Sequence, residues 1–255
     1  MTTRPLNRRV FEDYHEPPQP PHLFSMRRSS TTGSSRKSVA IGHGTFSGER
    51  NPGFCQIIIN GQRSETLFKE DGEVQSVFQE LGFDVDKAIC SPKNDVESII
   101  NSVALRDYDG NRILVCFILS DVTESSEIQS FSGKTLSVSK LMTKFWRSDS
   151  LQFKPKIFII QGHQLPATAL SETKVPVDET SITIQLPVGD KNVLCLFVPY
   201  RKGYISTLLS TIKLHGLKRD FLDILSEAKK SFYEKNNITI PDPVHTFSGP
   251  VYLHK

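Results

Sequence analysis

KPKIFIIQGHQLP, residues 154–166, is the stretch whose reading decides the fold. It begins with two lysines around a proline and continues as the apolar run Ile157-Phe158-Ile159-Ile160. The run then breaks at Gln161-Gly162. A short, unbroken run of β-branched and aromatic residues reads as a strand covered on both faces. In open α/β proteins, function sits beyond the carboxyl ends of such strands. The residues delivered to that place here are His163, Gln164 and Leu165.

Outward from this strand, apolar runs and helical stripes alternate. FCQIIIN (54–60), RILVCFILS (112–120) and NVLCLFV (192–198) read as further buried strands, and FDVDKAI (83–89) alternates like a strand. Val74, Val77, Phe78 and Leu81 lie at helical spacing, with Gly82 as a stop signal. Val96, Ile99, Ile100 and Val103 repeat the pattern, with Ser91 and Pro92 as expected start signals. Val138, Leu141, Met142 and Phe145 repeat it again, capped by Ser137. Residues 203–214 are expected to be helical, and a long helix is expected through Leu217, Phe221, Ile224, Leu225, Ala228 and Phe232. PVYLH (250–254) reads as a final strand. The alternation predicts an α/β fold with about six strands in a mainly parallel sheet and helices on both faces.

Composition narrows the function classes. The net charge of +3 is mild and gives no reason to expect a nucleic-acid partner. No apolar run reaches the roughly 18 residues of a membrane span. The first residues lack the apolar core of a secretory signal. Cys55, Cys90, Cys116 and Cys195 sit within or at the end of apolar runs, with no CxxC pair, and are expected to be buried, reduced thiols of a cytoplasmic protein. Residues 1–50, with PPQPP and RRSSTTGSSRKS, read as a disordered Pro/Ser/Arg-rich tail. Ser29 and Ser30 follow two arginines there, as in a site for a basic-directed kinase. No phosphate-binding loop, HExxH or GxSxG is present, and the Gly42–Gly44 GHG has no strand before it. No cofactor or metal is expected.

Several stretches resemble the catalytic domain of caspases. GFCQIIIN resembles the first caspase strand, and ILVCFILSDV the strand that ends in Ser-His-Gly. GKTLSVSKLMTKF resembles the stretch that follows. KPKIFIIQ is similar, almost residue for residue, to the strand leading into Gln-Ala-Cys-Arg-Gly. NVLCLFVPYRKGYIS, the helix through DFLDIL, and PVYL resemble the small-subunit half. The resemblance implies a caspase-like domain over 51–255, with a large-subunit-like part at 51–166, a connector at 167–192 and a small-subunit-like part at 193–255. Asp178 and Asp190 are candidate cleavage points in that connector.

Caspase chemistry needs a thiolate nucleophile and a histidine that handles the proton. The resemblance places His163 where the cysteine belongs and Asp121 where the histidine belongs, 42 residues apart. Gly162 takes the place of the alanine, and Val122 that of the glycine after the histidine. Caspases hold an aspartate with arginines, because a guanidinium binds a carboxylate bidentately. The motif arginine is Gln164 here, no Trp-Arg follows Gly203-Tyr204-Ile205-Ser206, and Arg63 lacks the Arg-x-Gly-Thr-Asp context. An Asp121–His163 dyad would be acid–base machinery, but Ser120 is the nearest hydroxyl and no nucleophile stands in the motif.

The expectation is therefore a caspase homologue without catalysis. It would act by binding an active caspase or procaspase, as decoy or allosteric partner, with a homodimer also open. Val251, Tyr252 and Leu253 are the candidate dimer strand, since caspases pair through their C-terminal strands. A peptidase with rebuilt chemistry and an unrelated interaction scaffold are the alternatives.

Overall fold

The computed structural model describes residues 51–61, 65–123, 127–164, 184–186, 189, 191–199 and 201–254. The expected tail at 1–50, with Ser29 and Ser30, lies outside the described residues, as do Arg63, Asp178 and Asp190.

The elements run β1 (Phe54–Asn60), α1 (Glu65–Glu80), β2 (Asp84–Ile89), α2 (Val96–Ala104), β3 (Leu114–Val122), β4 (Ile128–Gln129), β5 (Thr135–Leu136), α3 (Val138–Trp146), β6 (Lys156–Gln164), β7 (Val193–Pro199), α4 (Tyr204–His215), α5 (Phe221–Asn236) and β8 (Val244–His245). The main sheet has the order β2-β1-β3-β6-β7-β8. The first five of these are parallel to one another, and β8 runs antiparallel to β7. The two-residue strands β4 and β5 form a hairpin against the end of β3.

The central strands β1, β3, β6 and β7 carry long apolar runs because each of their faces meets helices. Successive side chains point to opposite faces. Ile57, Phe117, Ile159 and Leu196 belong to a core shared with α1, α4 and α5. Ile58, Cys116, Phe158 and Cys195 belong to a second core shared with α2 and α3. This is the expected α/β architecture.

Local chemistry moves two expected boundaries and keeps a third. Ser137 caps α3 as expected, accepting a hydrogen bond from Lys140 N at 3.3 Å. At α2, however, Ser91 and Asn94 close a turn on each other, so Asp95 becomes the cap and accepts from Ser98 N at 3.1 Å. Leu217 is 51% exposed and precedes α5, which starts at Phe221.

Pro250–His254 is not a strand, and this corrects the reading of Val251, Tyr252 and Leu253. Val251 N donates to Asp220 Oδ1 at 2.6 Å, and Val251 O accepts from Phe221 N at 2.8 Å. The first turn of a helix leaves N–H groups without intrahelical partners. Val251 supplies one such partner at the start of α5, and its backbone therefore does not join a ladder. Val251 and Leu253 are buried in the core beside α5, while Tyr252 is half-exposed. Val-Tyr-Leu alternates, but it does so over a helix end. On this side of the sheet the outermost described strand is β8.

Candidate functional site at the carboxyl ends of the central strands

β3 and β6 are parallel neighbours whose register pairs Ser120 with Gly162, Asp121 with His163, and Val122 with Gln164. Positions far apart in the chain thus become neighbours about 4.8 Å apart across a ladder. The two positions singled out by the motif, Asp121 and His163, are direct register partners.

Asp121 lines a cleft of ≈270 Å³ with Asn60, Gly61, Gln129, Ser130, Phe131 and Gly133. Asn60, the last residue of β1, ties this end of the sheet together. Its Nδ2 donates to Ser120 Oγ at 2.8 Å and to Gln129 O at 2.8 Å. Ser120 Oγ in turn donates to Asp121 O at 2.8 Å. The Ser120 hydroxyl is fully buried and engaged on both sides, so it holds structure rather than attacks. The β4–β5 hairpin that closes the cleft was not expected from the sequence. Its signal is Ser132-Gly133, with Gly133 at φ 78° and Ser130 N donating to Lys134 O at 2.8 Å.

Gly162 is small for a steric reason. A Cβ added there would lie 2.7 Å from Val122 Cγ2 and 3.0 Å from both Phe197 Cζ and Val122 Cγ1. Val122 occupies the space that an alanine at 162 would need. Relative to the motifs, the small and the large residue have changed places across one ladder.

The same strand end carries a buried polar pair missed in the sequence. Gln161 is fully buried and Glu70, on α1, is 5% exposed. Glu70 lies on the apolar stripe of its helix, at i, i+4 and i+7 with Val74 and Val77, and that placement was the available signal. Burial lifts the Glu70 carboxyl above its ordinary range. The Gln161 amide facing it offsets part of the rise, and Glu73 adds to it. A folded carboxyl that holds its proton more tightly than the unfolded chain stabilises the fold below the unfolded value of about 4.3. That contribution is lost as pH rises through the higher folded value. Glu70→Gln is expected to raise stability by about 1 kcal/mol at pH 7, the low figure reflecting partial screening, and to do little at pH 4. Urea unfolding at both pH values checks this, and an equal gain at the two would exclude charge burial as the cause.

The four cysteines are free and buried. Burial pushes the Cys90 and Cys195 thiols up to about 12, and holds those of Cys55 and Cys116 well above the ordinary value. All four thus match the expectation of buried, unpaired thiols. The thiolate is the reactive form, and these environments disfavour it. Gln164 is the last residue of β6.

No family model matches the chain, and no curated protein matches it. Solved structures do. Caspase-1 from Spodoptera frugiperda superposes with a TM-score of 0.62 at 16% identity, covering 81% of this chain and 91% of that one. A structure of pro-sf-caspase-1 superposes with a TM-score of 0.61 at 17% identity, covering 78% of this chain and 94% of that one. The chain has a caspase-like fold. Among the described residues, no helix is long and apolar enough to cross a membrane.

Proposed function

We propose that this chain is a catalytically silent caspase-like protein that binds an active caspase or procaspase and regulates it in the cytoplasm, and through it apoptosis. The observation that carries the reading is the register pairing of Asp121 with His163 at the two positions where the motifs call for a histidine and a cysteine. An aspartate and a histidine at these positions supply a carboxylate and an imidazole, but neither the thiolate nor a hydroxyl for the acyl intermediate of caspase-type chemistry. Two further observations support it. The cysteines lie in cores that disfavour thiolate, and the Ser120 hydroxyl is tied to Asn60 and Asp121. A fold that keeps its core without its chemistry acts through surfaces.

The surface proposed for pairing is the outer edge of β8. Among the described strands nothing pairs with that edge, and both Val244 and His245 are exposed. An unpaired edge is a template for a strand from another chain. This moves the candidate dimer strand from Val251–Leu253 to Val244–His245.

Two measurements test the reading. Purified protein is expected to leave an aspartyl fluorogenic peptide uncut, and a rate that disappears in Asp121→Ala or His163→Ala would overturn the silent part. A tagged chain is expected to capture a caspase from its own cells and to change that caspase's rate, with Val244→Lys weakening capture several-fold. A chain that captures no caspase overturns the regulatory part.

A further inference from the structure

Asn60 ends β1 with an acceptor to spare. Its side chain is buried, at 2% exposure, and both hydrogens of its Nδ2 are spent on Ser120 Oγ and Gln129 O, each at 2.8 Å. These two bonds fix which way the amide is turned. Ser120 Oγ gives its own proton to Asp121 O, and a carbonyl has none to give. Asn60 Oδ1 accepts no hydrogen bond among the described residues, and it is not sealed away: it keeps an opening to the cleft that Asn60 lines.

The other walls of this ≈270 Å³ cleft bring groups of the same kind. Asp121, near the end of β3, brings a carboxylate. The side-chain amide of Gln129, on β4, makes no hydrogen bond among the described residues, since it is the backbone oxygen of Gln129 that serves Asn60. Phe131 brings a ring, partly buried against the core shared with α2 and α3. No Lys, Arg or His stands among the described lining residues. Three side-chain acceptors from three strands, one of them charged, thus converge with an aromatic surface on one opening.

We propose that this cleft is a binding site for a guanidinium group, carried by a small molecule or by an arginine side chain. A guanidinium presents five N–H donors in one plane and no acceptor, which suits Asp121, Asn60 Oδ1 and Gln129 Oε1 together. Its pairing with a carboxylate is charge-assisted. Its plane stacks on an aromatic ring, a role open to Phe131. Asp121 already makes an interaction within the fold, and a carboxylate's roughly four lone-pair sites let a ligand add to it. An ammonium is a point charge with three donors and matches the spread of acceptors less well. The cleft is smaller than the roughly 300–1,000 Å³ of drug-sized ligand pockets, so it holds one such group and not a large ligand. The preference is opposite in sign to the aspartate pocket that the sequence resemblance implies. The inference does not depend on pairing at β8.

Agmatine and acetyl-Ala-Arg-Ala-amide, titrated calorimetrically into the full chain up to millimolar concentration, test it, with acetyl-Ala-citrulline-Ala-amide as the uncharged match. At least one guanidinium compound is expected to bind, and the citrulline peptide is not. Binding of agmatine alone assigns the site to a small molecule, and binding of the Arg peptide to a polypeptide; either upholds it. Asp121→Asn is expected to weaken binding by about tenfold or more, the mark of a lost charge-assisted contact. Gln129→Lys is the second variant. It puts an ammonium in the cleft, removes no side-chain bond of the fold, and is expected to abolish binding, so the test survives if Asp121→Asn does not fold. Binding of neither guanidinium compound, a citrulline peptide that binds as tightly as the Arg peptide, or parental affinity in the folded variants overturns the site. An Arg peptide that binds and is also cut upholds the site and overturns the silent reading. Caspase capture without guanidinium binding overturns the site alone.

Discussion

Gly162→Ala is expected to lower the unfolding free energy by about 2 kcal/mol, the usual cost of forcing a methyl into a packed site. The added carbon would meet Val122 Cγ2 at 2.7 Å and Phe197 Cζ at 3.0 Å, and both neighbours are buried. Close-packed interiors do not give by several tenths of an ångström without cost. Val122→Ala alone removes the obstructing methyls and leaves a small void, costing about 1–2 kcal/mol. The two changes made together are expected to cost about 1.5–2 kcal/mol less than their sum, because the new methyl fills the vacated space. A double-mutant cycle by urea unfolding measures that coupling. Additive costs would show that Val122 is not what keeps position 162 small. The consequence reaches the site itself. A chain given His163→Cys, Asp121→His and Gly162→Ala still carries Val122 in the way, so rebuilding the motif requires the residue after Asp121 to shrink too.

Lys156→Ala is expected to cost about 3 kcal/mol, from a lost charged donor and an unfilled stem. Lys156 opens β6 and is 2% exposed, a rare state for lysine. Its Nζ donates to Leu151 O at 3.3 Å, Lys154 O at 3.2 Å and Lys191 O at 3.5 Å. These carbonyls gather the loop before β6 and the residue two before β7 around one ammonium. Lys156→Met keeps most of the stem's packing without the donor, and is expected to recover about half of the loss. Denaturant melts of the two variants separate the contributions. An alanine variant within about 0.5 kcal/mol of the parent would mean the ammonium holds nothing together.

The central strands were legible because burial on both faces leaves long apolar runs: Phe117, Ile118, Ile159 and Ile160 announce themselves. The helices over the sheet were legible from the spacing of Val74, Val77 and Phe78, or of Leu141, Met142 and Phe145. Boundaries fared less well where polar side chains compete. Ser91 and Asn94 turned a plausible cap into a turn, and Asp95 took over. β4 and β5 are two residues long, too short for any period to register. Within the site, Asp121 and His163 were found through motif and spacing. Asn60 and Glu70 were not, because each reads locally as an ordinary strand or helix residue. Their roles arise from partners 60 or more residues away, as in the bond from Asn60 to Ser120.

By itself the sequence determined the layered α/β architecture, since a strand without a polar face has to lie between two layers of helices. It determined equally which side chains stand at the ends of β3 and β6. Tertiary structure alone decided that Asp121 and His163 are register partners across one ladder, that Val122 fills the space above Gly162, and that Gln161 and Glu70 are buried against each other. It also turned Val251–Leu253 away from the sheet edge and onto the start of α5. The physical reason is the range of the interactions. Periodicity reports which face of an element is buried, and that is local. Register, steric exclusion and the choice of hydrogen-bond partner depend on which other segment arrives there, and no local pattern carries that information.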